Sequence, residues 1–229
     1  MIILLAALLP AILLWIYIWK KDPQNEPTSR LVIATLLGVV ICIPISFVEL
    51  GIDAIMFGID GEPTSLAGTT AMAFLSAALP EEAIKLLALW LVLRKNRYFD
   101  EHFDGIVYAV CIGLGFAAIE NIVYVFSEEE WVSVAISRAL LAVPGHYAFA
   151  ILMGYYYSIY HFIDHSPKAA VRILLIPLFA HGVYDALAMS GMVDPTIGGI
   201  CFLILIYFCI KMHKVARTKI ITSIVIDSH

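Results

Sequence analysis

The stretch Leu79-Pro80-Glu81-Glu82-Ala83-Ile84-Lys85 sets two adjacent carboxylates and an ammonium between apolar runs, residues 66–78 before it and 86–93 after it. With water on both sides, Pro-Glu-Glu would be an ordinary helix start. Proline suits the first helical position, and acids suit the positive end of the helix dipole. The composition around it offers lipid instead. Of 229 residues, 62% are hydrophobic and 14% charged, against roughly 45–50% apolar and about 25% charged in a soluble domain. Charge deep in a bilayer is expensive, so it faces a bundle interior and usually acts there. The chain therefore reads as an all-α polytopic transmembrane bundle. It forms one domain over residues 1–229 with no room for a soluble module, and its motif-bearing core covers about 66–190.

A span needs about 20 apolar residues. Seven such stretches lie at 2–19, 31–50, 66–93, 105–126, 144–162, 173–190 and 195–210. The first lacks a basic leader and a small-residue cleavage site, so it is expected to be a retained span. The third is longer than needed and interrupted at Pro80, which predicts a kinked helix or two half-helices meeting in the membrane. Residues 131–143, carrying Arg138, read as a helix at the interface, residues 52–65 as a loop, and the segment after Lys219 as a tail without signal. Every lysine and arginine except Lys85 and Arg138 falls in the loops after spans one, three, five and seven. The other loops hold acids: Asp53, Asp60, Glu62, Glu128 to Glu130 and Asp194. By the positive-inside rule the N-terminus lies outside and the C-terminus in the cytoplasm, as in a multi-pass protein of a prokaryotic cell membrane. Cys42, Cys111, Cys201 and Cys209 sit in apolar runs, as packing residues with no disulfide or CxxC metal pattern.

Inside the spans the strongly polar residues are Glu49, Glu81, Glu82, Lys85, Glu120, His146, His181 and Asp185. Glu49 is near a span end and reads as interfacial. At 1.5 Å of rise per residue, Glu82 lies roughly 18 Å from the cytoplasmic side, Glu120 and His146 roughly 24 Å, and His181 roughly 14 Å. Four capable side chains from four spans thus fall within one hydrocarbon layer. Lys85 is at i+4 from Glu81 and i+3 from Glu82, so it can hold either acid; pairing with Glu81 would leave Glu82 as base. Asp185 is one turn from His181 and could orient it or share a metal with it. Each residue alone has a bland reading, such as an interhelical hydrogen bond for His146 or a buried pair with Arg138 or Lys85 for Glu120. Together they suit a hydrolytic centre. Glu81 or Glu82 could activate water, while Glu120, His146, His181 and Asp185 supply N and O donors suited to zinc. A serine nucleophile motif, a Gly-rich phosphate loop and HExxH are absent from the sequence, so the residues leave metal-assisted and metal-free hydrolysis both open. No nucleic-acid partner is expected.

The motifs Glu81-Glu82-x-x-Lys85, Phe116-x-x-x-Glu120-Asn121, the isolated His146 and His181-Gly182-x-x-Asp185 resemble, in order, those of the PrsW family. That family is related to the CAAX prenyl protease and bacteriocin-processing group. Asp104-Gly105-Ile106-Val107-Tyr108 and Gly113-x-Gly115-Phe116 match its fourth-span signature. The resemblance implies an intramembrane endopeptidase, usually classed with the metalloproteases. Such an enzyme makes the first, extracytoplasmic-side cut in a single-span protein such as an anti-sigma factor, in an envelope-stress signalling pathway completed by a second-step protease. In the CAAX branch His stands at the Glu120 position, and a glutamate-activated water without metal is arguable there. Two other classes compete. A broken span with buried acids also describes a proton- or ion-coupled transporter, though no inverted repeat is visible. A non-catalytic scaffold or immunity protein of the same fold would not need the full motif set.

Overall fold

The computed structural model describes residues 1–59 and 61–228; the outer-loop acid Asp60 and the terminal His229 lie outside the described residues. The described residues form nine α-helices, two π-helical segments and one short 3₁₀ turn, with no strand. In chain order they are α1 (Ile2–Lys21), α2 (Thr28–Phe57), α3 (Leu66–Ala71), α4 (Leu79–Leu93), α5 (His102–Ser127), α6 (Trp131–Ser137), α7 (Val143–Phe162), α8 (Pro167–Met189) and α9 (Pro195–Asp227). Six helical runs are long and apolar enough to cross a membrane. The unbroken run from α3 through α4 makes the seventh crossing, so the chain is a polytopic helical bundle.

Helix α5 runs through the middle, packed by α1, α2 and α7. It is apolar on all sides, the pattern of a helix with no water-facing stripe, and Phe103 to Ala117 is buried throughout. Small residues let its neighbours approach closely. A Cβ on Gly115 would sit 2.1 Å from the Thr35 carbonyl oxygen of α2. One on Gly154 of α7 would sit 2.3 Å from the Gly105 carbonyl oxygen of α5. The outer helices leave Val40, Phe47, Leu87, Phe179 and Leu203 exposed. That is the surface a bilayer covers.

The third span does not split into half-helices. Between α3 and α4 it widens into a π-helical stretch, Met72–Ala78, in which the Leu79 N–H reaches back to the Phe74 carbonyl. Proline at 80 has no N–H for the carbonyl four residues earlier, and shifting the bonding by one residue absorbs that loss. The same device recurs before Pro144. Arg138–Ala142 is π-helical, and the Val143 N–H bonds to the Arg138 carbonyl. The segment 131–143 is therefore not a separate interfacial helix; it is continuous with the fifth span, from Trp131 to Phe162. Each π segment ends one or two residues before a proline, and the next turn carries Glu81 and Glu82 in one case and His146 in the other.

Two further expectations change. Helix α2 continues to Phe57, which moves Asp53 from the loop onto the helix. Helix α9 does not stop near Ile210. It runs 33 residues to Asp227, and Asp227 accepts from the His102 and Phe103 N–H groups at 2.7 and 2.9 Å. The tail thus caps the first turn of α5.

Candidate active site

Pro80 opens α4, and its first turn brings Glu81, Glu82 and Lys85 inward, all 4% exposed or less. Lys85 Nζ lies 2.7 Å from Glu81 Oε2 and 3.1 Å from Glu82 Oε1, and 4.1 Å above the Phe116 ring. The sequence spacing allowed Lys85 either acid; it holds both. Their surroundings then differ. Glu82 Oε1 also bonds His181 Nδ1 at 2.9 Å, and Glu82 is 1% exposed. Glu81 borders a cavity of about 380 Å³, which Glu82 does not line.

His181 comes from the middle of α8. Its Nε2 lies 3.2 Å from Asp185 Oδ2 and 3.9 Å from Glu81 Oε2. The ring stacks on Phe149, centroids 4.7 Å apart, which fixes its plane. The close passage of α8 over the π segment requires a glycine. A Cβ on Gly182 would meet the Phe74 ring at 2.4 Å. His146, in the first turn of α7, meets His181 edge-on at 5.2 Å between centroids. Its Nε2 is 2.7 Å from Glu120 Oε2, while its buried Nδ1 has no protein partner. One donor atom each from Glu81, His146 and His181 lies within 4.8 Å of the others.

All seven residues singled out from the sequence therefore meet in one place. Glu120 lines the cavity beside His146, and Arg138 Nη2 is 2.8 Å from the same Glu120 oxygen. The structure assigns Arg138, which the sequence had placed at the interface, to this buried network. Asn121 holds it there, accepting from Arg138 Nε at 2.8 Å and donating to the Ala7 carbonyl of α1 at 2.6 Å. Glu49 and Asp53 were also set aside in the sequence. Both line the cavity, with Ser46, Ser76, Tyr124 and Asp185 among others. Their i,i+4 spacing on α2 was the available signal. The cavity reaches Asp53 and Met189, near the ends of α2 and α8 that carry the acidic loops.

The chain is similar to known proteins over most of its length. The family model described as PrsW family intramembrane metalloprotease matches residues 26–212. The chain is 37% identical to Protease PrsW of Geobacillus kaustophilus over 187 residues, 81% of this chain and 79% of that one. It is 36% identical to Protease PrsW of Clostridioides difficile over 192 residues, 81% and 78% of the two chains. Against Protease PrsW of Oceanobacillus iheyensis the identity is 32% over 218 residues, 95% and 96% of the two. No solved structure matches the chain. Matched by the family model over most of its length, the chain belongs to the PrsW family and is an intramembrane protease.

Proposed function

We propose that this protease hydrolyses a peptide bond near the extracytoplasmic end of a single-span membrane protein of the anti-sigma-factor type, with Glu81 as general base. The carrying observation is the convergence of Glu81, His146 and His181, with Glu81 bordering a cavity, lined also by Glu120 and Asp185, that extends toward the acidic-loop ends of α2 and α8. A substrate helix unwound at that end could present its backbone there. The shortened product would pass to a second protease, making this the opening step of a stress-signalling cascade.

The donors that meet are Glu81, His146 and His181, a set of the kind that holds zinc; we assign the carboxylate ligand to Asp185, which lies beside His181, and keep Glu81 as base. His146 Nδ1 is buried without a partner, and a carboxylate occupies the second nitrogen of each histidine, Glu120 on His146 and Glu82 on His181. This is how metal-binding histidines are oriented. The 3.2 Å between His181 Nε2 and Asp185 Oδ2 matches the separation of two ligands on one tetrahedral zinc, about 3.3 Å for bonds of 2.0–2.1 Å. Zinc bound there would lower the pKa of a water and polarise the scissile carbonyl. Glu81 is the less suitable ligand, because Lys85 already sits 2.7 Å from its Oε2. It is the better base, one water away from the histidine nitrogens. Glu81 takes the proton of the attacking water and passes it to the leaving amine as the C–N bond breaks. Lys85, 2.7 and 3.1 Å from the two acids, offsets their charge where they are buried.

The test is cleavage of a single-span substrate by purified protein in proteoliposomes. A new terminus is expected near the extracytoplasmic end of the substrate span. A cut only in its cytoplasmic half, or none, would overturn the reading. The role of Glu120 beside His146 gives a graded prediction. Glu120→Gln should reduce cleavage by about 10–100-fold, the usual cost of losing a group that orients a metal ligand. A loss as large as that from removing a histidine would make Glu120 a direct ligand.

A further inference from the structure

Far from the catalytic cavity, at the end of the bundle that the basic loops assign to the cytoplasm, three chain segments bring carboxylates together. The α1–α2 connection supplies Asp22 and Glu26, the α4–α5 connection Asp100 and Glu101, and the first turn of α5 Asp104. Asp227, capping α5 from the end of α9, stands beside them. Its centre is buried, with Asp22 and Glu26 each 5% exposed and Asp104 1% exposed, while Glu101 and Asp227 are half-buried and Asp100 is exposed. Among the described residues no lysine or arginine forms an ion pair with any of the six. Like charges buried together need compensation.

One oxygen of each carboxylate at the centre has a structural duty. Asp22 Oδ2 accepts from the Glu26 N–H at 3.1 Å. Asp104 Oδ2 accepts from the N–H groups of Asp100 and Glu101 at 3.1 and 2.8 Å. Glu101 Oε1 accepts from the Gln24 amide. The remaining oxygens, Asp22 Oδ1, Asp104 Oδ1 and Glu101 Oε2, are all buried and have no partner. A buried carboxylate oxygen without a donor is costly. Three on neighbouring side chains share a common need. One donor atom each from Asp22, Glu101 and Asp104 lies within 4.8 Å of the others. Carboxylate oxygens are the ligands that calcium and magnesium take. Glu26, held by the Tyr108 hydroxyl, is the adjacent reserve carboxylate. Burial pushes Asp22 and Glu101 up, and Glu26 up to about 7, with neighbouring carboxylates adding to each shift.

We infer that Asp22, Glu101 and Asp104 form a site for a hard divalent cation of the calcium or magnesium kind at the cytoplasmic end of the bundle. Such an ion ties the α1–α2 connection to the start of α5, the helix that carries Glu120 at its other end. Oxygen-only donors distinguish it from the histidine-containing centre in the membrane, and it stands independently of the hydrolytic reading.

The inference is tested by terbium luminescence of the purified full-length protein in detergent, excited through its aromatic residues, with calcium and magnesium as competitors. Wild type should bind terbium saturably and release it to calcium or magnesium. Asp22→Asn and Glu101→Gln, which keep side-chain shape, should each weaken calcium competition at least tenfold. His181→Ala should leave it unchanged. Absence of saturable binding in wild type overturns the site, as does wild-type affinity in both carboxamide variants. Loss of binding in His181→Ala alone would move the ion to the membrane centre and overturn it as well.

Discussion

Glu81→Gln is expected to lower cleavage of a single-span substrate by about 10³-fold, within the 10²–10⁴ that general acid–base groups supply. The glutamine keeps the size of the side chain and one acceptor for Lys85, so the effect falls on proton transfer rather than on packing. Glu82→Gln provides the contrast. Glu82 is enclosed, bonded to Lys85 and to His181 Nδ1, and its neighbour is the one that borders the cavity. Its loss should disturb the orientation of His181 and cost about 10–100-fold. Initial rates of both variants at matched amounts of folded protein check the order. A more severe defect in Glu82→Gln would exchange the roles of the two acids.

Lys85→Met should destabilise the protein by about 3–5 kcal/mol, the cost of leaving a buried charge without its partner. Lys85 is the ammonium between Glu81 and Glu82, at 2.7 and 3.1 Å, and each of the three is 4% exposed or less. Without it two adjacent carboxylates share a dry site with His181 as the nearest compensation. Adding Glu82→Gln to Lys85→Met removes one of the stranded charges and should recover part of the loss. Unfolding in mixed micelles by SDS titration measures both. Stability equal to wild type in Lys85→Met would mean that the acids do not depend on it for burial.

How much of this was legible in the sequence follows from the range of each signal. The spans, the orientation rule and the intramembrane polar set depend on composition and local spacing, and the helical bundle and the meeting of Glu81, Glu82, Glu120, His146, His181 and Asp185 emerge from those. The choice between adjacent acids does not. Glu81 and Glu82 point about 100° apart on a helix of 3.6 residues per turn, and which of them meets the cavity depends on where α2 and α8 pack. Arg138 looked interfacial because residues 131–143 are only moderately apolar. A buried pair with Glu120 was one reading of the sequence, but choosing it over the interface needs the packing of α5 against the fifth span, which no local pattern carries. Asp227 caps an α5 residue 125 positions earlier. The lysines and arginine of 211–219 ended the apolar run without ending the helix, because they are good helix formers. The π segment before Pro80 could have been expected more readily, since that proline stands within a span and needs a displaced hydrogen bond, whereas Pro144 read as the opening of a span, where a proline displaces none.

The central claim is that His146, His181 and Asp185 hold a metal while Glu81 serves it as base. Zinc content of purified protein, measured alongside cleavage in the same samples, tests it most directly. Stoichiometric zinc is expected in active wild type and in inactive Glu81→Gln, and zinc with activity should both be lost in His181→Ala. Full cleavage by metal-free wild type, or loss of zinc in Glu81→Gln, would contradict that division of roles.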